Sequence, residues 1–183
     1  MVFHTGQLLV ATPRLMDPNF RRGVLFILDH DQEGALAVVI NRPSKLPLEA
    51  VLPGWGEAVV EPALLFSGGP VAPDSALAVG LALGGGPDLG FKRLSGDYGL
   101  VDLDLPALSL LPDLVGVRVF SGYAGWGEGQ LEAEIAEGSW YVVNAVPTDL
   151  LSPAPATLWR DVLRRQAGGL AYVANFPDDP SMN

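Results

Sequence analysis

Two unbroken apolar runs, Val24-Leu-Phe-Ile-Leu28 and Ala35-Leu-Ala-Val-Val-Ile40, constrain the fold of this chain more than any other feature. Neither alternates polar with apolar residues, so a strand built from either must be covered on both faces. The polar stretch Asp29-His-Asp-Gln-Glu-Gly34 between them has the length of a hairpin loop, which makes the two strands neighbours and central. Further short segments read as strands at 7–12, 63–66, 76–79, 91–94, 115–123 and 140–143, with Ser67-Gly-Gly-Pro70 and Gly84-Gly-Gly-Pro87 as turns. Asp17-Pro18 reads as an N-cap with proline at the first helical position, opening a brief turn through Phe20. Residues 158–166 put Trp159, Val162, Leu163 and Gln166 on one side of a helix that Gly168-Gly169 stops. Many strands and few helices predict an α+β fold, formed as one domain over residues 1–183.

Charge and residue usage exclude several classes of function. Eleven Lys and Arg stand against twenty-one Asp and Glu, a formal net charge of −10. That balance opposes direct binding to nucleic acid or to an anionic membrane. The basic pairs Arg21-Arg22, Lys92-Arg93 and Arg164-Arg165 are scattered, and no helix-turn-helix pattern is present. The chain has no cysteine, which excludes disulfides, thiolate zinc sites and cysteine nucleophiles. Only His4 and His30 remain as imidazoles, far apart in sequence, so no metal or cofactor is expected. The N-terminal residues lack a signal-peptide pattern, and no apolar run approaches the ~18 residues of a spanning helix. The expectation is a cytoplasmic protein without membrane contact.

Candidate chemistry concentrates in Gly122-Tyr-Ala-Gly-Trp-Gly-Glu-Gly-Gln-Leu-Glu132, read as a glycine-rich bend that opens into an acidic helix with Glu128 in its first turn. Gly125 and Gly127 begin a dinucleotide fingerprint, but Gln130 stands where the third glycine belongs. Gly122 and Gly127 have the P-loop gap, but Glu128 replaces the lysine and repels phosphate. Ser67 and Ser121 each lack the preceding glycine of a nucleophile elbow. Gln130 and Glu134 project from the helix toward Tyr123 and Trp126 as a polar pair. His30, between Asp29 and Asp31, offers a general base or a ligand, although one solvated loop histidine is the simpler reading. Arg21-Arg22 is most simply neutralised by a nearby carboxylate such as Asp17 or Asp29. Asn41-Arg42-Pro43 ends a strand, where proline prevents further pairing and Arg42 offers a bidentate anion clamp.

Together these motifs carry a resemblance. Gly6-Gln-Leu-Leu-Val-Ala-Thr-Pro13, Asp17-Pro-Asn-Phe20, His30 with Gly34-Ala35, Asn41-Arg-Pro43, Gly68-Gly-Pro70, Gly122-Tyr-Ala-Gly-Trp126, Gly129-Gln-Leu-Glu132 and Trp140 occur in the order found in the YqgE/AlgH family, and the chain is identified as a member. Ala37 departs from it, where a second glycine is usual. The resemblance implies a bacterial, cytoplasmic α+β domain with a bulged, mainly antiparallel sheet and a few covering helices. It also implies an uncharacterised biochemical activity, with a regulator label attached to the AlgH branch. With this charge, any effect on transcription runs through a protein or a small molecule. The expectation is therefore a non-enzymatic regulatory protein whose surface comprises Asp17, Phe20, Arg21, His30, Asn41, Arg42, Tyr123, Trp126, Gln130 and Glu134. The alternative is an enzyme or small-molecule sensor with a pocket beside the bend, walled by Tyr123 and Trp126. No residue is assigned a catalytic, cofactor-binding or metal-binding role.

Overall fold

In the computed structural model, which describes residues 2–179 and Ser181, the two apolar runs are indeed adjacent antiparallel strands, β2 (Val24–Asp31) and β3 (Gly34–Val39). The hairpin loop shrinks to Gln32 and Glu33, so His30 belongs to β2 rather than to a loop. Around this hairpin grows a ten-stranded sheet with β1 (Gln7–Ala11), β4 (Pro43–Pro47), β5 (Leu64–Ser67), β6 (Val71–Leu81), β7 (Phe91–Ser95), β8 (Tyr98–Val101), β9 (Gly116–Gly127) and β10 (Trp140–Asn144). The spatial order is β10-β1-β2-β3-β9-β6-β8-β7, with β5 beside β9 and β4 beside β5. All pairs are antiparallel except β5 with β9. The fold is α+β. Pro43 does not end pairing: it opens β4 at an edge, where a missing N–H costs nothing, and pairs with Phe66.

The sheet curls. The Tyr98 ring on β8 meets Phe26 on β2 at 4.6 Å between centroids, and a Cβ on Gly6 would run into the Ser95 side chain at the end of β7. The concave face holds Leu8, Val10, Phe26, Val38, Phe66 and Phe120 and is filled by α5 (Leu158–Arg164) through Leu158, Trp159, Val162 and Leu163. One half of the convex face, with Leu9, Leu25, Ala37 and Ala124, is covered by α3 (Gln130–Ala136) and the loop carrying Phe20. The other half, with Val117 and Val119, lies under α1 (Leu48–Val51) and α2 (Ala107–Leu110). The remaining short helices, α4 (Pro147–Leu150) and α6 (Leu170–Val173), pack at the α5 end.

Two irregularities decide which side chains reach which face. On β2 the register shifts between Ile27 and Asp29, and this turns His30 onto the convex side opposite Ala35. On β9, Phe120 and Tyr123 both join the concave cluster although they are three apart, because Gly122 interrupts the alternation at φ 69°. Beyond it Ala124 and Trp126 face α3. Thus Gly122-Tyr-Ala-Gly-Trp-Gly127 is the end of a strand and not a bend, and Glu128 precedes α3, which begins at Gln130 after Gly129 at φ 70°. Between residues 17 and 21 a single turn forms without a regular helix: Phe20 and Arg21 donate their amides to the Asp17 carbonyl at 3.0 and 2.7 Å.

Candidate functional site

Glu134 organises the convex aromatic cluster. Its Oε2 accepts the indole N–H of Trp126 at 2.9 Å and that of Trp140 at 2.8 Å. Its Oε1 accepts the Gln130 amide at 3.0 Å, and Gln130 Oε1 in turn accepts the Gly127 amide at 3.1 Å. The two indoles meet edge to face at 6.1 Å, and Phe20 closes the group at 6.4 Å from Trp126 and 5.6 Å from Trp140. Four of the sequence-designated residues are thereby brought together, Trp126, Gln130 and Glu134 in one hydrogen-bond network and Phe20 by ring contact. Tyr123 is not among them. It lies on the concave side, so Tyr123 and Trp126 cannot wall one pocket: the segment is a strand rather than the expected bend, and on a strand residues three apart face opposite ways.

His30 is likewise enclosed. Its side chain is fully buried, stacked on the His4 ring at 5.5 Å, so the register shift replaces the solvated loop histidine expected from sequence. Nδ1 accepts the His4 backbone amide at 3.1 Å, which leaves the proton on Nε2 to be donated to Glu132 Oε1 at 3.1 Å. The Glu132 carboxyl is held below its ordinary range, first by its own backbone amide and then by His30. No group of three metal-ligating side chains occurs among the described residues.

On the other flank of Phe20, Asn41 and Arg42 knit down the loop at residues 17–22. Asn41 Oδ1 accepts the Val24 amide at 2.9 Å while its Nδ2 donates to the Arg22 carbonyl at 2.8 Å. The Arg42 guanidinium donates to the carbonyls of Pro18 and Arg21 and is not a free anion clamp. Burial lowers its pKa, and Asp17 partly offsets this. Held by these bonds, Arg22 takes φ 57°, a conformation unusual outside glycine and asparagine. Its guanidinium lies 4.0 Å over the Trp159 ring, and burial lowers its pKa while Asp178 opposes the shift. The carboxylate that neutralises this region is Asp178, 3.8 Å from Arg22 and 3.0 Å from Arg160, rather than Asp17 or Asp29. Arg21 donates to the Asp178 carbonyl. A cleft of about 200 Å³ opens here, lined by residues 12–16, Arg21, Arg22 and the segment 176–178.

Arg14 and Asp178 at this cleft, and Arg160 beside it, carry no local sequence signal, because they converge only through the fold. Arg118 escapes notice for a similar reason: it interrupts the apolar run of β9, is almost wholly buried, and donates to the carbonyls of Val60, Glu61, Pro62, Leu150 and Ser152. Burial pushes its pKa down to about 10, so it remains charged at neutral pH. It is a structural cross-brace.

The comparisons with known proteins agree with this architecture. The AlgH-like family model matches residues 8–171. A UPF0301 protein of Streptomyces avermitilis is 54% identical over 183 residues, covering 98% of this chain and 95% of the relative. One from Mycobacterium ulcerans is 42% identical, with 97% and 90% covered. Among solved structures, a Corynebacterium diphtheriae protein superposes with a TM-score of 0.89 at 32% identity, covering 94% of this chain and 92% of its own. The AlgH protein of Pseudomonas aeruginosa superposes with a TM-score of 0.72 at 28% identity, covering 96% and 95%. No helix among the described residues is long and apolar enough to cross a membrane. By sequence match and by fold, this chain belongs to the AlgH-like family.

Proposed function

We propose that this protein is a non-enzymatic cytoplasmic binding protein, and that any influence it has on transcription passes through a bound partner or small molecule. The observation that carries this reading is the contrast between the two sides of Phe20. At the strand end, Trp126, Trp140, Gln130 and Glu134 spend their polar atoms on one another and on the Gly127 amide, and His30 spends both ring nitrogens on His4 and Glu132. Such groups rigidify a scaffold; none is left poised as a nucleophile with an adjacent base. On the side of residues 17–22, Arg21 and Arg22 face an open cleft on a loop that Asn41 and Arg42 hold rigid. Recognition on a loop fixed by a rigid scaffold is the common arrangement of binding sites. Among the expected surface residues, Asp17, Phe20, Arg21, Asn41 and Arg42 therefore form or support the surface, while Trp126, Gln130, Glu134 and His30 hold it in place.

The test is genetic and biophysical together. A deletion strain of the host supplies a transcript profile, and the wild-type gene restores it. Arg21→Ala removes a half-exposed side chain from the cleft and is expected to melt as wild type does while failing to restore the profile. Full restoration by a natively melting Arg21→Ala removes this surface from the function.

A further inference from the structure

Beside Arg22 the chain supplies its own provisional ligand. Arg22 Nη2 donates to the carbonyls of Phe176 and Pro177, Arg21 to the carbonyl of Asp178, and Arg160 to the Asp178 carboxylate at 3.0 Å. Three guanidiniums from two elements thus converge on one short segment. Its single carboxylate is mostly exposed, at 84% of the side chain. The segment leaves the site incompletely satisfied: Arg22 Nη1 is buried and has no hydrogen-bond partner among the described residues. An orphaned buried donor on a charged group is costly, and it persists here on a residue already held at φ 57° by Asn41 and braced on Trp159.

The charge balance points the same way. Five arginines, Arg14, Arg21, Arg22, Arg42 and Arg160, line the cleft and its continuation past Asn41 and Trp159. The carboxylates facing them are Asp17, beside Arg42, with Asp178 and Asp179. Two positive charges are in excess, in a chain whose net charge is −10. The open space of about 200 Å³ lies below the ~300–1,000 Å³ of drug-sized sites, which suits a compact ligand or the end group of a larger one.

We infer that Arg21, Arg22 and Arg160 form a receptor for a small dianionic oxyanion, inorganic phosphate or a phosphate monoester, with the Asp178 segment as its built-in, displaceable competitor. Guanidinium forks match phosphate oxygens geometrically and keep their charge when partly desolvated. A dianion brings two negative charges to three guanidiniums that the Asp178 carboxylate supplies with one. Displacing the segment frees Arg22 Nη2, gives Nη1 its missing acceptor, and alters the surface around residues 176–179, which is how occupancy of the cleft becomes visible to a partner. The inference deepens the reading above and rests on its choice of surface.

Arginine side-chain ¹⁵N NMR on the full chain tests it, with phosphate titrated at fixed ionic strength and acetate as the monoanionic control. Saturable shifts of the Arg22 and Arg160 Nε signals are expected with phosphate and not with acetate. Arg160→Gln, on an α5 whose buried residues are untouched, is expected to weaken binding about tenfold or more through loss of a charge-assisted hydrogen bond. Asp178→Asn removes the competitor's charge and is expected to tighten binding by up to about fivefold, the worth of an exposed ion pair. Acetate acting as phosphate does, no saturation, or unchanged affinity in both variants each overturns the proposal. Tighter binding of glycerol 2-phosphate than of inorganic phosphate places an organic tail along Leu15 and Met16, and the reverse marks a site for free phosphate; both sustain it. A failed titration alongside a non-restoring Arg21→Ala discards the ligand and keeps the surface, whereas binding alongside full restoration does the opposite.

Discussion

One carboxylate carries two indoles here, and that concentrates the consequences of a single substitution. Glu134→Ala leaves the N–H groups of Trp126 and Trp140 without acceptors inside a buried cluster. At about 1–3 kcal/mol for each of the two orphaned donors, a loss of about 2–6 kcal/mol is expected in urea denaturation. Glu134→Gln keeps an oxygen able to accept both protons and is expected to recover more than half of that loss. Gln130→Ala removes one exposed link to the Gly127 amide, worth about 0.5–1.5 kcal/mol. Trp126→Ala is expected to cost about 3–5 kcal/mol, as aromatic truncations in cores do. The pairing of Gln130 with Glu134 toward the aromatic residues was legible from their spacing of four on a helix. That Glu134 also bridges to Trp140 was not, because Trp140 arrives on a different strand. Arg118 was illegible for the same reason: its five carbonyl partners belong to two segments brought over β9 only by the fold.

Among the elements, β9 decides the architecture, because it is shared by the β3 half of the sheet and by the β5 and β6 half. Gly122 lets it serve both. At φ 69°, a Cβ there would press on the carbonyl oxygens of Gly69 and Val71, so Gly122→Ala adds a steric clash to the ~1–2 kcal/mol of left-handed backbone strain. A larger fall in melting temperature is expected for Gly122→Ala than for Gly129→Ala, where φ is 70° but nothing lies within reach of a Cβ. Equal losses would mean that backbone strain alone matters at both sites. The central hairpin, β1, β5 and β10 were readable from their apolar runs, β7 from the glycine turn before it and α5 from its helical spacing of apolar residues. Two strands were not. In β8, the sequence Tyr-Gly-Leu-Val is too short to carry a pattern, and β4 is Pro-Ser-Lys-Leu-Pro, an exposed edge strand stabilised by its neighbour rather than by its own residues. Periodicity also fails at a bulge, since a shift of one residue inverts every later side chain. His30 stands in a polar stretch that read as a loop and is buried because such a shift turns it onto the convex side, while Tyr123 and Trp126 read as partners because their glycines suggested a bend where a strand runs.

For the molecule as a whole, the net charge of −10 makes specific binding of duplex DNA at physiological salt unfavourable, and fluorescence anisotropy with host promoter fragments is expected to show none tighter than ~10⁻⁷ M. Sequence-dependent binding below that value would mean that the arginines around residues 21, 22 and 160 act on phosphodiesters. Closure of the curled sheet makes a separate demand. Tyr98, where β8 returns over Phe26, is half-buried with a hydroxyl that has no hydrogen-bond partner among the described residues. Burial, reinforced by Asp149, pushes its pKa from 10.0 up to about 12. The unfolded chain therefore releases this proton at a lower pH than the folded one, and the stability it confers is present below pH 10 and lost as pH rises toward 12. Arg118 acts oppositely in the same window. Its pKa falls from the ordinary arginine range to about 10, so the unfolded state holds the proton longer and rising pH favours the fold. The wild-type profile alone cannot separate the two, but its difference from Tyr98→Phe can. Removing the unpartnered hydroxyl is expected to leave stability at pH 7 equal or slightly higher, since phenylalanine fills the same space without a stranded donor. Above pH 10 the variant is expected to become progressively more stable than wild type. Parallel profiles from pH 9 to 12 would show that the Tyr98 hydroxyl meets water and that the sheet closes less tightly over β2.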